Sequence, residues 1–359
     1  MSALDLSCFE PKSATDVFRR GVAECVREGG SAWLTAFAIL LAPTAIAVAG
    51  QYLVWRTGAG ELLATMQKGS VNPQTMDMGE FFGAMAIVTG VGVVTGVLSL
   101  LAQYGSGVAV ARLIAERALG RQYGSAQAWD FVLGRAGKII GGGFVLMLVL
   151  AGAATAGAIP AGIVSAVIGV SSGPPTPGTP PSAFMQIAPM VVMAPVVLAV
   201  AVYLVSMMAV TGVENLGGFA ALGRSWRLAT GQFKHVLGAV ALAGLAFAAP
   251  GMAVGMLAQT PVAAHLRETL GAANGMLALT GVGSILSLLL TPFMLTVQVA
   301  IYFDLRSRQR EETFTAYELA LDVGGELPEG VAAPAEPADW APPPVPGPSA
   351  DVPPPPDIS

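Results

Sequence analysis

Charge is scarce in this chain. Only 11% of its 359 residues are Asp, Glu, Lys or Arg, against about 25% in an ordinary soluble domain. That deficit disfavours a cytosolic enzyme, a nucleic-acid binder and a disordered protein. Histidine is almost missing, with His235 and His265 alone, and the topology derived below puts them on opposite sides of a bilayer. A His-based metal site and a Ser-His-Asp arrangement are therefore not expected, so neither metal nor cofactor is assigned. Cysteine is equally sparse. Cys8 and Cys25 both precede the first long apolar run, where a reducing compartment keeps thiols free.

Apolar residues fill the space that charge leaves. They make up 54% of the chain, and the mean hydropathy is +0.66. A bilayer core of about 30 Å needs roughly 20 apolar residues in a helix. Six segments qualify: 32–55, 81–110, 139–170, 184–213, 236–257 and 276–302, none with a charged residue in its central part. The first follows a polar leader of 31 residues and reads as a retained span, not a cleaved signal. The expected fold class is an all-α integral membrane protein: a six-span helical bundle with cytoplasmic amphipathic helices and a disordered C-terminal tail.

The basic residues orient that bundle. Lys12, Arg19, Arg20 and Arg27 precede the first span; Arg112, Arg117, Arg121, Arg135 and Lys138 lie between spans two and three; Arg224, Arg227 and Lys234 lie between four and five; Arg306, Arg308 and Arg310 follow the sixth. The alternate loops hold only Arg56, Lys68 and Arg267. The positive-inside rule puts both termini in the cytoplasm. The Pro, Ala and Gly bias suggests a bacterial inner membrane. On this reading 1–31 is a cytoplasmic amphipathic segment, 32–303 the membrane domain, 304–322 a cytoplasmic helix end, and 323–359 a tail. Of the outer loops, 56–80 has room for a short helix around 61–66, and 171–182 is a proline-rich stiff turn.

Charge divides along the chain as well. Residues 1–310 carry all 18 basic residues, whereas 311–359 carry ten acids and no base. Residues 323–359 also contain twelve prolines and one aromatic residue, Trp340. Such a segment cannot bury a core, and extended polyproline structure is expected. It suits a solvated terminus, a docking segment for a cytoplasmic protein, or an acidic strap over the basic inner loops.

Each inner segment leads into a span through a basic, amphipathic stretch. The three begin near Asp16, Trp129 and Phe219, which suggests three units of in-plane helix plus two-span hairpin. In the third, Phe219, Leu222, Trp226 and Phe233 fall near one helical face, with Arg224 and Arg227 elsewhere. Aromatic anchors in the headgroup layer and arginines on lipid phosphates fit that spacing. Arg224, Trp226, Arg227, Lys234 and Arg306 are accordingly the candidates for anionic lipid headgroups or an interface.

No ionisable group lies at mid-depth, where proton relays and ion paths are usually marked. Glu116, Glu214 and Asp304 sit near inner ends, within reach of Arg117, Arg224 and Arg306. Glu214 and Asp304 are therefore candidates for structural ion pairs. Pro43, Pro160, Pro189, Pro195, Pro250 and Pro292 fall inside spans and are candidates for kinks, either for packing or for a transport site. A polar cavity at Pro160, Pro195, Pro250 and Pro292 is the expectation of a transporter or facilitator for a small or amphiphilic solute. Gly92–Gly96 and Gly251–Gly255 have the spacing of close helix contacts, within the chain or between copies.

Two stretches carry a family resemblance. Glu214-Asn215 followed by Ala220-Ala221-Leu222-Gly223-Arg224-Ser225-Trp226-Arg227-Leu228, with Gly231 and Phe233, resembles the membrane domain attached to some glycerophosphoryl diester phosphodiesterases. Tyr302-Phe303-Asp304-Leu305-Arg306, with Arg308 and Arg310-Glu311, looks like the same family's closing signature. The resemblance covers about residues 210–312. It implies an all-helical membrane module, often found without an enzyme attached, and imports no catalysis. The phosphodiesterase barrel of about 250 residues has no room here outside the spans. Arg224, Trp226, Arg227, Asp304 and Arg306 carry over as fold or interface residues. The function expected is thus that of a non-enzymatic, accessory or lipid-interacting membrane protein.

Overall fold

The computed structural model describes residues 10–60, 62, 78–171, 183–257, 260–309 and 315–324. The expected outer helix near 61–66, the turn at 172–182 and the Pro-rich tail beyond residue 324 lie outside the described residues. Within them the protein is helical, and no strand occurs among the described residues.

Helix α1 (Ala14–Arg56) starts at Ser13, whose hydroxyl accepts the Asp16 amide at 3.2 Å and caps the first turn. It was expected to divide into an in-plane stretch and a separate span. Instead one helix runs through both, with a left-handed residue, Gly30 (φ +74°), at the junction. A right-handed helix cannot continue straight through such a residue, and glycine takes it at least cost. The membrane-length part begins there, at Gly30–Arg56.

The other long helices are α2 (Met78–Ala118), α4 (Ala136–Ser171), α5 (Ala183–Leu204), α8 (Phe233–Leu257) and α10 (Ala272–Arg308). Short helices join them: α3 (Ser125–Gly134), α6 (Met207–Val213), α7 (Gly218–Ala229) and α9 (Pro261–Leu270), with α11 (Ala316–Val323) following the last long one. Among the described residues, five segments are long and apolar enough to cross a membrane: Gly30–Arg56, Met78–Ala118, Ala136–Val164, Val191–Val213 and Leu277–Arg308. The protein is therefore a multi-pass, all-helical membrane protein. The sixth expected span corresponds to α8, whose described apolar part, Phe233–Phe247, is shorter.

α1 packs chiefly on α10 and α2, while α4 pairs with α5. Close approach is possible where glycine meets backbone. A Cβ on Gly21 would lie 2.4 Å from Val297 Cα, and one on Gly212 would lie 2.6 Å from the Val108 carbonyl oxygen. The sequence pointed to Gly92–Gly96 instead, but a Cβ at either position would meet nothing within 4 Å. That pair faces away from the bundle, and the surroundings of Gly251–Gly255 lie outside the described side chains.

Burial is uneven along the bundle. Tyr104–Glu116 of α2, Met207–Val213 of α6 and Leu295–Arg306 of α10 form a dense core at the end that carries the arginines. The far half of α2, from Met78 to Leu98, is largely exposed, as are Ile159, Ile163 and Val191. An apolar exterior around a packed polar end is the reverse of a soluble domain and fits a protein solvated by lipid.

Helices α1, α4 and α10 run on through Pro43, Pro160 and Pro292, and α5 and α8 through Pro195 and Pro250. The interruption in the fourth long segment falls at Val205–Ser206, not at Pro195. Its cause is a side chain. The Ser225 hydroxyl donates to the Tyr203 carbonyl at 2.6 Å and meets the Ser206 hydroxyl at 2.8 Å. α7 thereby satisfies backbone that the broken helix releases.

Candidate functional site: a buried charge hub and a hydroxyl-lined cleft

α6 ends at Glu214, and Asn215 follows in the left-handed region (φ +55°), which asparagine tolerates better than most residues. This turn aims the Glu214 carboxylate into the bundle. Oε2 lies 2.9 Å from Arg224 Nε of α7, while Oε1 accepts from Arg306 Nη1 at 2.8 Å and from the Tyr302 hydroxyl at 3.0 Å, both on α10. Arg306 also reaches Asp322 of α11 at 3.2 Å. Asn215 extends the hub outward. Its side-chain oxygen accepts from Arg135 Nε at 2.8 Å and its carbonyl from Lys138 Nζ at 2.7 Å. Helices α4, α7 and α10 and the linker between α3 and α4 therefore converge on two consecutive residues.

This geometry corrects the sequence reading of two arginines. Arg224 is 9% exposed and Arg306 only 4%. Both are spent on Glu214 instead of facing lipid headgroups. An arginine charge buried in a bundle needs a carboxylate partner, and Glu214 supplies it from both oxygens. The face of α7 that looks inward carries Ala221, Arg224, Ser225 and Leu228, whereas Phe219 and Trp226 are 71% and 52% exposed. Trp226 stacks on Tyr203 with ring centroids 3.8 Å apart. Arg227 and Lys234 are exposed, and neither has a partner among the described residues.

The other two acids are paired as well, with partners that differ from those expected. Asp304 takes His235 Nε2 at 2.7 Å and Arg308 Nε at 2.8 Å, and it accepts the Lys12 amide at 2.6 Å. Arg308 also donates to the Lys12 carbonyl. The start of the described chain is thus clamped to the end of α10. Glu116 pairs with Arg112 and Arg121, each at 2.7 Å, while Arg117 donates to the Tyr123 carbonyl. Arg112 and Arg135 both lie over the Phe131 ring, at 4.7 and 4.0 Å from its centroid. Among the described residues, no group of three His, Cys, Asp or Glu is placed to hold a metal ion. Cys25 is a free, buried thiol in the N-terminal arm. Burial pushes it up to about 11, with an opposing hydrogen bond to Thr296.

A cleft of about 480 Å³ opens between α1, α2 and α10. Its polar lining is Thr44, Ser99, Gln103, Thr280, Ser284, Ser287 and Thr291, set among Leu40, Pro43 and Leu288. It occupies the middle of the α1 span, beside Pro43. The expected cavity at Pro160, Pro195 and Pro250 is not where it lies. Pro292 is one residue beyond the cleft wall, and one turn earlier the Trp33 indole donates to the Leu289 carbonyl at 3.0 Å. The carbonyl that Pro292 itself leaves without a helical donor is that of Leu288, the next residue back.

Sequence reasoning missed Tyr302, Asp322 and His235 as partners, and Ser206 with Ser225 as a backbone cap. It also missed the cleft. The signal was present: Thr280, Ser284, Ser287 and Thr291 recur at helical spacing in an apolar span, and Ser99 and Gln103 are four apart.

No family model, curated protein or solved structure matches this chain.

Proposed function

We propose that this is a six-span, non-enzymatic protein of a bacterial inner membrane, with both termini in the cytoplasm, that interacts with anionic lipids at its inner face. One observation carries the lipid reading. Trp226, Arg227 and Lys234 are exposed next to the packed polar end, with an aromatic body beside two cations whose charges no described side chain neutralises. The even number of crossings is supported by the bond between Lys12 and Asp304, because the chain then enters and leaves at one end of the bundle. Kinship with the membrane domain of the glycerophosphoryl diester phosphodiesterases belongs to the same proposal. Its support is that the two stretches carrying the resemblance meet at one carboxylate, Glu214 with Arg224 from the first and Tyr302 with Arg306 from the second.

The test is native mass spectrometry of the protein released from membranes, wild type beside Arg227→Ala/Lys234→Ala. Retained phosphatidylglycerol or cardiolipin that is lost in the folded variant supports the reading. Equal retention removes it. The cleft favours a second reading, a facilitator for a small or amphiphilic solute. Solute flux in proteoliposomes tests that reading, and the lipid experiment does not.

A further inference from the structure

Polar side chains facing hydrocarbon need hydrogen-bond partners, because no water is there to supply them. Most hydroxyls in the spans obey this within the chain. Thr35 donates to Ser31 O, Thr95 to Val91 O, Thr155 to Ala151 O and Thr211 to Met207 O. In the cleft only Thr44 and Thr291 do so, bonding Leu40 O and Ser287 O. Ser99, Gln103, Thr280, Ser284 and Ser287 line the same space, and their side chains have no hydrogen-bond partner among the described residues.

From this concentration we infer that the cleft between α1, α2 and α10 is an intramembrane binding site for an uncharged amphiphile whose hydroxyl or ester groups complete these hydrogen bonds. The absence of charge in the lining argues for a neutral ligand. No Asp, Glu, Lys or Arg contributes to it, and the nearest buried cation along α2, Arg112, is nine residues from Gln103, about 14 Å of helix. A charged molecule would lose its hydration there without a counter-ion. Access is from the bilayer. Leu41, Leu98, Ile285 and Leu289, which flank the lining residues on the three helices, are all exposed apolar side chains, so an apolar tail can lie outside while a polar head enters. A volume of about 480 Å³ is within the range of small-molecule sites. Pro43 itself is part of the wall, and a proline inside α1 leaves the Ile39 carbonyl, one turn earlier, without its usual donor. This inference concerns binding, and it holds whether or not the ligand crosses the membrane or anionic lipids bind at Arg227.

The experiment uses the full chain in phosphatidylcholine nanodiscs with a monoacylglycerol that carries a diazirine near its ester. After irradiation, adducts are mapped by peptide mass spectrometry. The expected result is labelling concentrated on peptides containing Gln103 and Ser284–Ser287. Excess unlabelled monooleoylglycerol should displace it and excess glycerol should not. Gln103→Leu with Ser284→Val should lower cleft labelling at least about fivefold, the scale of one lost hydrogen bond, without changing background labelling at Val191–Leu198. If that pair does not fold, Ser287→Leu at the exposed mouth is the second variant and should block labelling in the same way. Labels spread evenly over exposed helices, or cleft labelling unchanged in a folded variant, overturn the inference. Displacement by glycerol alone overturns the amphiphile in favour of a water-soluble polyol.

Discussion

Arg306 Nη1 lies 2.8 Å from Glu214 Oε1 across 92 positions of sequence, and the arginine side chain is only 5% exposed. That contact joins the end of the last long helix to the end of α6. It also sets α7 in place, because Arg224 holds the other oxygen of the same carboxylate.

Removing Glu214 takes a shared carboxylate from two buried guanidinium groups, of which Arg306 keeps Asp322. Glu214→Ala should lower the unfolding free energy by about 3–5 kcal/mol, as for other buried pairs broken from one side. Arg227→Ala, on the exposed face of α7, should stay within about 0.5 kcal/mol. Denaturant titration in detergent compares the two, and a Glu214 loss as small as that of Arg227 would mean the hub is solvated.

The break in the fourth long segment depends on Ser225. Ser225→Ala orphans the Tyr203 carbonyl and should cost about 1–3 kcal/mol. Ser206→Ala removes only the hydroxyl–hydroxyl contact at 2.8 Å and should cost less. Equal losses in the same titration would place the cap elsewhere.

Two glycines should respond in opposite directions to one methyl group. Gly212→Ala drives a Cβ against the Val108 carbonyl and should destabilise by about 1–3 kcal/mol. Gly92→Ala meets open space, so it should be neutral or should stabilise by up to about 1 kcal/mol through helix propensity. Thermal unfolding of the two variants side by side gives the sign of each.

Cys25 should be a slow nucleophile. With its thiol raised from 9.0 to about 11 by burial, little thiolate exists at neutral pH. In a Cys8→Ser background, N-ethylmaleimide should modify the folded protein far more slowly than a small thiol at pH 8. The same shift has a stability consequence. The protonated thiol contributes fully below about pH 9, and the contribution is lost as pH rises from there through about 11. Rapid alkylation at pH 8 would show that the N-terminal arm opens.

Much of the architecture was legible because it depends on local composition. A run of some 20 apolar residues has few alternatives to a helix in a bilayer, and acids at the ends of such runs require counter-charges. Glu214 and Asp304 could thus be read as ion-pair residues. The identity of the partner could not. Glu116 uses Arg112, an i,i+4 neighbour on the same helical face, rather than adjacent Arg117, which is not on that face. Its second partner, Arg121, lies beyond the end of α2 and is brought back by the turn after it. Arg224 has two sequence readings, a lipid-facing candidate and a partner within reach of Glu214, and only packing chooses between them. Its spacing separates it from Phe219 and Trp226, but periodicity alone does not say which of two faces meets the bundle.

Sequence by itself determined that this chain is a helical, multi-pass membrane protein with a basic body, since backbone hydrogen bonding in hydrocarbon and segment length leave little freedom. Tertiary structure decided the rest. Only packing could turn Arg224 and Arg306 inward onto Glu214, break a helix at Ser206 instead of at a proline, and bring hydroxyls from α1, α2 and α10 into one cleft. Each depends on which faces of distant helices meet, and that is settled by steric fit and the pairing of buried polar groups across the bundle.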